Sequence, residues 1–316
     1  MIEIRDIPAG GRVTEPGLYR MTAETYHSDP CPVPSLSSGA IRKMLERTPR
    51  HAYCEHPRLG GQRDESGSPA MTLGTVVHAL ILGAGRDFIV IDADNYRTKA
   101  AQEARDAAAA RGLTPIIRDQ YEKARAMAAS AQRELNQLPL VGDALVAGRP
   151  EIVAIWREGE TWCRSMMDLC PTAIDSDGWW TIYDLKTTQM ALDPNTIARH
   201  LVASGYDVQA AFYCRGLESL LGPAARVRFR FLFVESDSPH LCAAFVGSGE
   251  MQTTGEQKVI AGISIWQRCI ATNNWPGYST DVLRLEPPKF METQWADREA
   301  GDPLIAGALS DWRHAA

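Results

Sequence analysis

The sequence predicts a mixed α/β fold, in which a central mixed sheet of about four or five strands is flanked by helices and preceded by a largely helical N-terminal part. Two observations predict this class. Apolar residues recur at helical spacing in much of residues 1–150, whereas from residue 151 they alternate with a period of two, which is typical of strands. The order of elements after that point is three strands, a helix and a further strand, so strands and helices are expected to share one core.

Residues 1–150 are predicted to form the mainly helical N-terminal part, packed on the core. Its clearest N-cap signal is P-S-L-S-S-G before A-I-R-K-M-L-E-R, because a Ser hydroxyl can satisfy the free amides of a helix start. The run MTLGTVVHALILG predicts a buried helix that carries one histidine, His78. Two Ala-rich, charged stretches near 98–112 and 118–137 predict further helices.

Residues 151–278 are predicted to form the core. EIVAIW, the turn REGE and TWCRSMMD make a hairpin pattern, and WWTIYDLK supplies a third strand. An amphipathic helix, the strands RVRFRFLFVE and HLCAAFVG, and a long helix near 250–273 follow. Residues 279–316 are expected to be a C-terminal tail whose short amphipathic stretch could dock on its own body, a neighbouring subunit or a partner. One compact domain overall is expected.

Composition limits the classes of function. The formal charge of −6 argues against a protein that coats nucleic acid nonspecifically, since phosphate binding needs clustered Lys and Arg. The seven cysteines are scattered, which indicates reduced thiols rather than a zinc or redox site. No apolar run is long enough to span a bilayer, and no G-x-x-x-x-G-K-[ST] phosphate loop is present. A cytoplasmic protein without membrane contact or ATP-driven activity is therefore expected.

Two acidic residues and a lysine are the candidates for chemistry. Alternate side chains of a strand share a face, so Asp184 and Lys186 of YDLK point to the same side. Asp168 ends the preceding strand, and pairing of the two strands would bring both carboxylates to one hard cation, Mg²⁺ or Mn²⁺. Lys186 could then position the attacking water and offset charge on the phosphate. The alternative is that both aspartates are edge charges that protect a sheet from aggregation.

Four motifs occur in an order that resembles the RecB-like branch of the PD-(D/E)XK nuclease superfamily. They are G-T-V-V-H ending at His78, then Asp168, then D-L-K at 184–186, then Q-A-A-F-Y at 209–213. The resemblance implies the restriction-endonuclease-like fold and one or two Mg²⁺ or Mn²⁺ ions. Several RecB-like relatives also hold an iron–sulphur cluster on four cysteines, and the scattered cysteines of this chain argue against one. The metal ligands that it implies are His78, Asp168, Asp184 and the backbone carbonyl of Leu185. It further implies that Lys186 serves the nucleophile and that Gln209 and Tyr213 hold the DNA backbone or brace the site.

Within that superfamily the flanking sequence looks most like phage exonucleases of the RecE, or exonuclease VIII, type. The similar segments include the opening YHSDPCPVPSLSSGAIRKMLERTPRHAY and E-I-V-A-I-W before C-R-S-M-M-D. This resemblance implies ATP-independent digestion of linear duplex DNA from an end, with 5′–3′ polarity expected, in a bacterial host cytoplasm. A ring-shaped homo-oligomer and a single-strand annealing partner follow from the same resemblance. Glu151, at the start of the hairpin, could be an additional catalytic carboxylate near the metals.

Each of these residues also has a simpler interpretation. His78 could be a hydrogen-bonded core histidine, and Gln209 with Tyr213 could be the polar face of an amphipathic helix. Arg226, Arg228 and Arg230 alternate with apolar residues in one strand, which fits either a DNA-binding wall or an ordinary half-exposed strand. At the level of the whole protein, an endonuclease of the same fold and a noncatalytic DNA-binding recombination module remain the alternatives.

Overall fold

The computed structural model describes residues 3–61, 69–139 and 141–315. Residues 1–277 form one compact unit and residues 278–316 form a second. The strands are β1 (Ile4–Asp6), β2 (Gly17–Arg20), β3 (Phe88–Ile91), β4 (Thr114–Ile117), β5 (Arg149–Glu158), β6 (Thr161–Cys170), β7 (Trp180–Thr188), β8 (Val227–Glu235) and β9 (Cys242–Phe245). The helices of the first unit are α1 (Ala23–His27), α2 (Ser38–Glu46), α3 (Pro49–Glu55), α4 (Pro69–Leu82), α5 (Lys99–Ala110), α6 (Arg118–Gln137), α7 (Val141–Ala147), α8 (Pro194–Ala203), α9 (Tyr206–Leu221) and α10 (Gly249–Thr272).

A seven-stranded mixed sheet lies at the centre of the first unit, in the order β1-β2-β5-β6-β7-β8-β9. The strands β1 and β2, and likewise β7 and β8, are parallel, and the other neighbours are antiparallel. The predicted mixed α/β class with a central mixed sheet is confirmed. The structure has more strands than the predicted four or five, because β1 and β2 extend one edge of the sheet. The short β3 and β4 form a separate two-stranded parallel sheet.

Helices cover both faces of the central sheet. On one face, α2, α8, α9 and α10 bury a cluster that includes Ile41, Phe212 and Trp266 against Phe229 and Phe231 of β8. On the other face, α4 and α6 pack through residues such as Val77 and Met127 against Leu185 of β7 and Leu232 of β8. This two-sided burial explains why β7 and β8 are rich in apolar residues, and each such buried side chain contributes roughly 1.5–3 kcal/mol to the free energy of unfolding.

The predicted helix starts follow the expected chemistry. Ser37 is the N-cap of α2, and its side chain accepts a hydrogen bond from the amide of Ala40. The two Ala-rich stretches form α5 and α6, and the histidine-bearing run forms α4. None of the helices in the described ranges has the length and apolar character that crossing a bilayer requires.

A buried polar group, which we call the Asp29 cluster, joins the N-terminal segment to β6. It consists of Asp29, Ser35, His56 and Arg164, all at most 5% exposed. Asp29 accepts hydrogen bonds from the amide (2.8 Å) and hydroxyl (2.6 Å) of Ser35. The guanidinium of Arg164 donates to the Ser35 carbonyl at 2.7 Å and lies 3.4 Å from the Asp29 carboxylate. Each charge in the cluster thus has a partner of opposite sign or a hydrogen bond.

The second unit contains two helices, α11 (Lys289–Gly301) and α12 (Pro303–Ala315). Arg313 of α12 donates to Glu299 of α11 at 2.8 Å, which links the pair. Trp295 and Trp312 are 51% and 66% exposed. The segment predicted as a tail is therefore largely helical, with aromatic side chains on its surface.

Candidate metal centre

Three potential metal ligands converge from three different elements. A nitrogen of His78, from α4, and carboxylate oxygens of Glu151, from β5, and Asp168, from β6, lie within 4.8 Å of one another. His78 Nε2 is 3.0 Å from Asp168 Oδ2, and His78 Nδ1 is 3.6 Å from Glu151 Oε1. The three side chains are between 14% and 21% exposed, so the group is accessible to solvent. The fold thus joins residues that lie far apart in the sequence into one site.

The hairpin of β5 and β6 places two of these acids opposite each other. Pro150 pairs with Leu169 and Ile152 pairs with Met167, so Glu151 and Asp168 occupy the position between them. Glu151 has a φ of 54°, in the left-handed region that residues other than glycine rarely adopt. Such a conformation costs about 1–2 kcal/mol and tends to occur at functional sites. The local distortion interrupts the ladder where the two carboxylates meet.

The strands β6 and β7 separate next to Asp168. They share a single paired position, Leu169 with Tyr183. Beyond it, the backbone amide of Leu185 donates a 2.8 Å hydrogen bond to Asp168 Oδ2 instead of to a neighbouring strand. The side chain of Asp168 therefore fills the gap between the strands and is held at the centre by the backbone.

Asp184 and Lys186 form a buried pair beside the three ligands. Asp184 is 1% exposed, its Oδ2 contacts the ammonium of Lys186, and its Oδ1 accepts a 2.7 Å hydrogen bond from Gln209 Nε2. The structure therefore brings Asp184 close to the centre but outside the group formed by His78, Glu151 and Asp168. The sequence predicted Lys186 beside the two aspartates but not the hydrogen bond from Gln209 to Asp184. Lys186 lines the open pocket, and its side chain is 18% exposed.

A glycine permits the approach of α4 to the sheet. A Cβ on Gly74 would lie 2.9 Å from Thr187 Oγ1 of β7. Because Gly74 has no side chain, α4 can cross β7 closely enough to bring His78, one helical turn later, onto Asp168. This contact supplies a physical reason for the glycine in G-T-V-V-H.

The electrostatics of the centre reflect three carboxylates in a small volume. Burial raises the pKa of Glu151 to about 7, and the negative charge of Asp168 acts in the same direction. Burial and Asp168 likewise raise the pKa of Asp184 to about 6, against the influence of Lys186. Burial alone would lower the pKa of His78, but Asp168 and Glu151 raise it to about 9. The excess of acidic groups favours the binding of a cation.

The donor set fits a divalent cation. Two carboxylate oxygens and one imidazole nitrogen are common ligands of divalent metal ions, and carboxylates suit Mg²⁺ and Mn²⁺. They line a pocket of about 370 Å³ together with Lys186 and Leu185. The pocket wall also contains residues that sequence reasoning did not select: His27, Thr75, Arg86, Thr187 and Tyr206. Only Tyr206 had a sequence signal, since it lies three residues before Gln209, on the same helix face.

Gln209 and Tyr213 lie behind the centre, on α9. Gln209 bonds to Asp184, and Tyr213 is 7% exposed. Burial, together with the nearby acids, keeps the pKa of Tyr213 well above its ordinary value, while a hydrogen bond with Gln209 acts in the opposite direction. Of the two roles expected for this pair, bracing of the site fits their placement better than contact with DNA.

The three candidate arginines, Arg226 just before β8 and Arg228 and Arg230 within it, differ from one another. Arg228 is bound by the carboxylates of Asp175 (2.5 Å) and Asp177 (3.0 Å). Arg226 is exposed and lies 4.0 Å from the centre of the Trp179 ring, and Arg230 lies 5.9 Å from that of Tyr183. Since two carboxylates already neutralise Arg228, Arg226 and Arg230 are the better candidates for phosphate contacts.

The chain resembles known proteins at the level of a family and a fold. A family model described as a PDDEXK-like domain of unknown function (DUF3799) matches residues 37–285. Among solved structures, a "Putative exonuclease" from Eubacterium rectale superposes with a TM-score of 0.56 at 12% sequence identity. The alignment covers 87% of this chain and 98% of that one. No curated protein matches the chain.

Proposed function

Since the chain belongs to the family of PDDEXK-like domains known as DUF3799, we propose that it is a divalent-metal-dependent deoxyribonuclease that degrades linear duplex DNA from its ends. The observation that carries this proposal is the meeting of His78, Glu151 and Asp168 within 4.8 Å in an open pocket, with Lys186 in its wall. Acids and an imidazole that can hold a divalent ion, with an ammonium that can offset charge on a phosphate, are groups that support phosphodiester hydrolysis.

The residues of the pocket have different roles in the proposed reaction. His78, Glu151 and Asp168 would hold the ion, and Asp184 would join them if its carboxylate turned from Lys186. Bound Mg²⁺ or Mn²⁺ would supply Lewis-acid polarisation of the phosphate and a more acidic water. Lys186 would orient the attacking water and balance negative charge on the phosphate. Gln209 donates a 2.7 Å hydrogen bond to Asp184, which would hold the carboxylate of Asp184 and its partner Lys186 beside the pocket.

The resemblance to RecE-type exonucleases supports the finer part of the proposal. It favours ATP-independent digestion with 5′–3′ polarity that supplies single strands to an annealing protein. It also favours a closed ring of identical subunits, which would retain the enzyme on its substrate. Arg226, which directly precedes β8, and Arg230 of β8 are the proposed phosphate contacts of this chain outside the centre.

A digestion assay tests the proposal. Linear duplex labelled at the 5′ or the 3′ end is incubated with the full chain and Mg²⁺ or Mn²⁺, beside a closed circular duplex of the same sequence. We expect progressive loss of linear DNA, no cutting of the circle, and no reaction with EDTA or with Asp184→Asn. Cutting of the circle would instead identify an endonuclease. Duplex binding without any cleavage would identify a noncatalytic module.

A further inference from the structure

An aromatic ring lies against the ammonium of Lys186. Lys186 Nζ is 4.8 Å from the centre of the Tyr206 ring, within the distance at which a cation is attracted to a ring face. Both residues line the same pocket. Lys186 therefore has two partners, the carboxylate of Asp184 and the ring of Tyr206.

One face of α9 holds both members of the Asp184–Lys186 pair. Tyr206, Gln209 and Tyr213 follow one another at spacings of three and four residues, which places them on the same side of the helix. Gln209 contacts Asp184, and Tyr206, one turn earlier, contacts Lys186. The pattern Y-x-x-Q-x-x-x-Y thus extends the Q-x-x-x-Y motif towards the pocket by one turn.

The start of α9 is fixed in place by α2. Gly205, the N-cap residue, has a φ of 64°, and a Cβ there would collide with Arg42 Cδ. Arg42 also donates a 2.7 Å hydrogen bond to the carbonyl of Ser204. The Tyr206 ring itself contacts His200, with ring centres 5.6 Å apart. These contacts give the ring a defined position from which to act on Lys186.

We propose that Tyr206 is a positioning residue that keeps the Lys186 ammonium directed into the pocket; this inference rests on the proposed nuclease function. A lysine side chain loses rotamer entropy when it is fixed, and attraction to a ring face at a partly buried site offsets part of that cost. A ring is suited to this place because it attracts the ammonium without adding a carboxylate that would compete for the metal ion. If Asp184 turned towards a bound ion, Tyr206 would remain as the partner of Lys186.

The contact is tested first in the metal-free protein, independently of activity. The chain has six lysines, so the ε-methylene signals of a ¹³C-lysine-labelled sample can be assigned with Lys186→Gln. We expect an upfield ring-current shift of the Lys186 signal that persists in Tyr206→Phe and disappears in Tyr206→Leu. A Lys186 signal at the ordinary lysine position in the wild-type protein would overturn the proposal.

Kinetics then test the role. On linear duplex with Mn²⁺, Tyr206→Leu should lower kcat about tenfold while KM changes by less than about twofold, and Tyr206→Phe should restore most of the rate. Replacing Tyr206 by pentafluorophenylalanine keeps the size of the Phe ring but removes its attraction for cations, so it should behave as Leu does. Equal kcat values for the Phe and pentafluorophenylalanine forms would show that the ring only fills space and would overturn the proposal.

A matched control is Tyr121→Leu. Tyr121 of α6 also lies against a cation, Arg125, at 5.9 Å, but outside the pocket. Its replacement should leave kcat unchanged. If the wild-type protein cleaves no DNA, the nuclease proposal fails, whereas the lysine spectra still decide whether Tyr206 holds Lys186.

Discussion

Two groups of charged side chains in this protein differ in whether their positive and negative charges are balanced. In the Asp29 cluster one carboxylate is matched by one guanidinium and by hydrogen bonds from Ser35. In the metal centre, the carboxylates of Glu151 and Asp168 lie together with His78, next to the buried Asp184. The first group is balanced and closed to solvent, whereas the second carries an excess of acids and opens to a pocket. A balanced group serves the fold, and an unbalanced one is suited to bind a cation.

The histidines of the two groups, His56 in the Asp29 cluster and His78 in the metal centre, also differ in their partners and in their pKa. His56 Nε2 donates to the Ser35 carbonyl at 3.0 Å, and His56 Nδ1 accepts from the Arg58 amide at 3.2 Å. Both contacts suit the neutral ring, and burial with the charge of Arg164 lowers the pKa of His56 to about 4. Both nitrogens of His78 face carboxylates, and its pKa is raised to about 9 despite burial. Burial alone therefore does not determine the charge of a histidine; its partners do.

The largest expected effect is on catalysis. Lys186→Gln removes the cation from the pocket wall but keeps a hydrogen-bond donor for Asp184, so cleavage of linear duplex should fall about 1000-fold, or about 4 kcal/mol in activation free energy. Initial rates with Mn²⁺ give the effect, and the circular dichroism spectrum serves as the control for folding. A variant that cleaves at the wild-type rate would remove Lys186 from the mechanism.

The matching change in the Asp29 cluster should act on stability instead. Asp29→Asn leaves the buried guanidinium of Arg164 without its carboxylate, which should lower the free energy of unfolding by about 3 kcal/mol. Urea denaturation measures the loss. Below the unfolding transition this variant should retain its rate of cleavage. If Asp29→Asn left the stability unchanged but abolished cleavage, the Asp29 cluster would serve catalysis rather than the fold.

Acid should weaken the Asp29 cluster through His56. The pKa of His56 is lowered from 6.5 to about 4 in the folded protein, so between these pH values the unfolded chain binds a proton that the folded chain does not. The free energy of unfolding should therefore fall as the pH decreases through this window, by up to about 3 kcal/mol. The contribution is fully present above pH 6.5. Comparison of the urea unfolding midpoints of the wild type and of His56→Gln at each pH isolates the contribution of His56. Midpoints of the two proteins that change with pH in parallel would count against this contribution.

The smallest expected effect is a gain in stability at the centre. Glu151→Gln removes one of several like charges, so the metal-free protein should become more stable by about 1 kcal/mol, whereas Mn²⁺ should bind more weakly. Thermal unfolding in EDTA and calorimetric titration with Mn²⁺ measure the two quantities. Lower stability of the metal-free variant would mean that Glu151 contributes to the fold in the way Asp29 does.

The sequence was sufficient to predict the long elements and, with them, the elements that carry the candidate site residues. The strands β5 to β8 and the helices α4, α6, α9 and α10 each show several repeats of their period, so their positions follow from the spacing of apolar residues. His78, Asp168, Lys186 and Gln209 could then be placed because each lies at a definite position in such an element.

The remaining features depend on contacts between distant parts of the chain. The strands β1 and β2 have three and four residues, too few to show a period. The helix α8 was missed although Asp193 as N-cap and Pro194 at its start are a recognisable signal. The hydrogen bond from Gln209 to Asp184 depends on where α9 packs on the sheet, and the separation of β6 and β7 places the Leu185 amide on Asp168; no local pattern indicates either contact.

That separation of β6 and β7 makes one amide a reporter of the centre. The N–H of Leu185 donates to Asp168, at the position where an ordinary sheet would have a strand partner. Its protection from hydrogen exchange thus depends on where that carboxylate points rather than on a ladder of neighbours. The exchange rate of this single proton, followed during a titration with a divalent ion, would register occupation of the centre without any DNA being present.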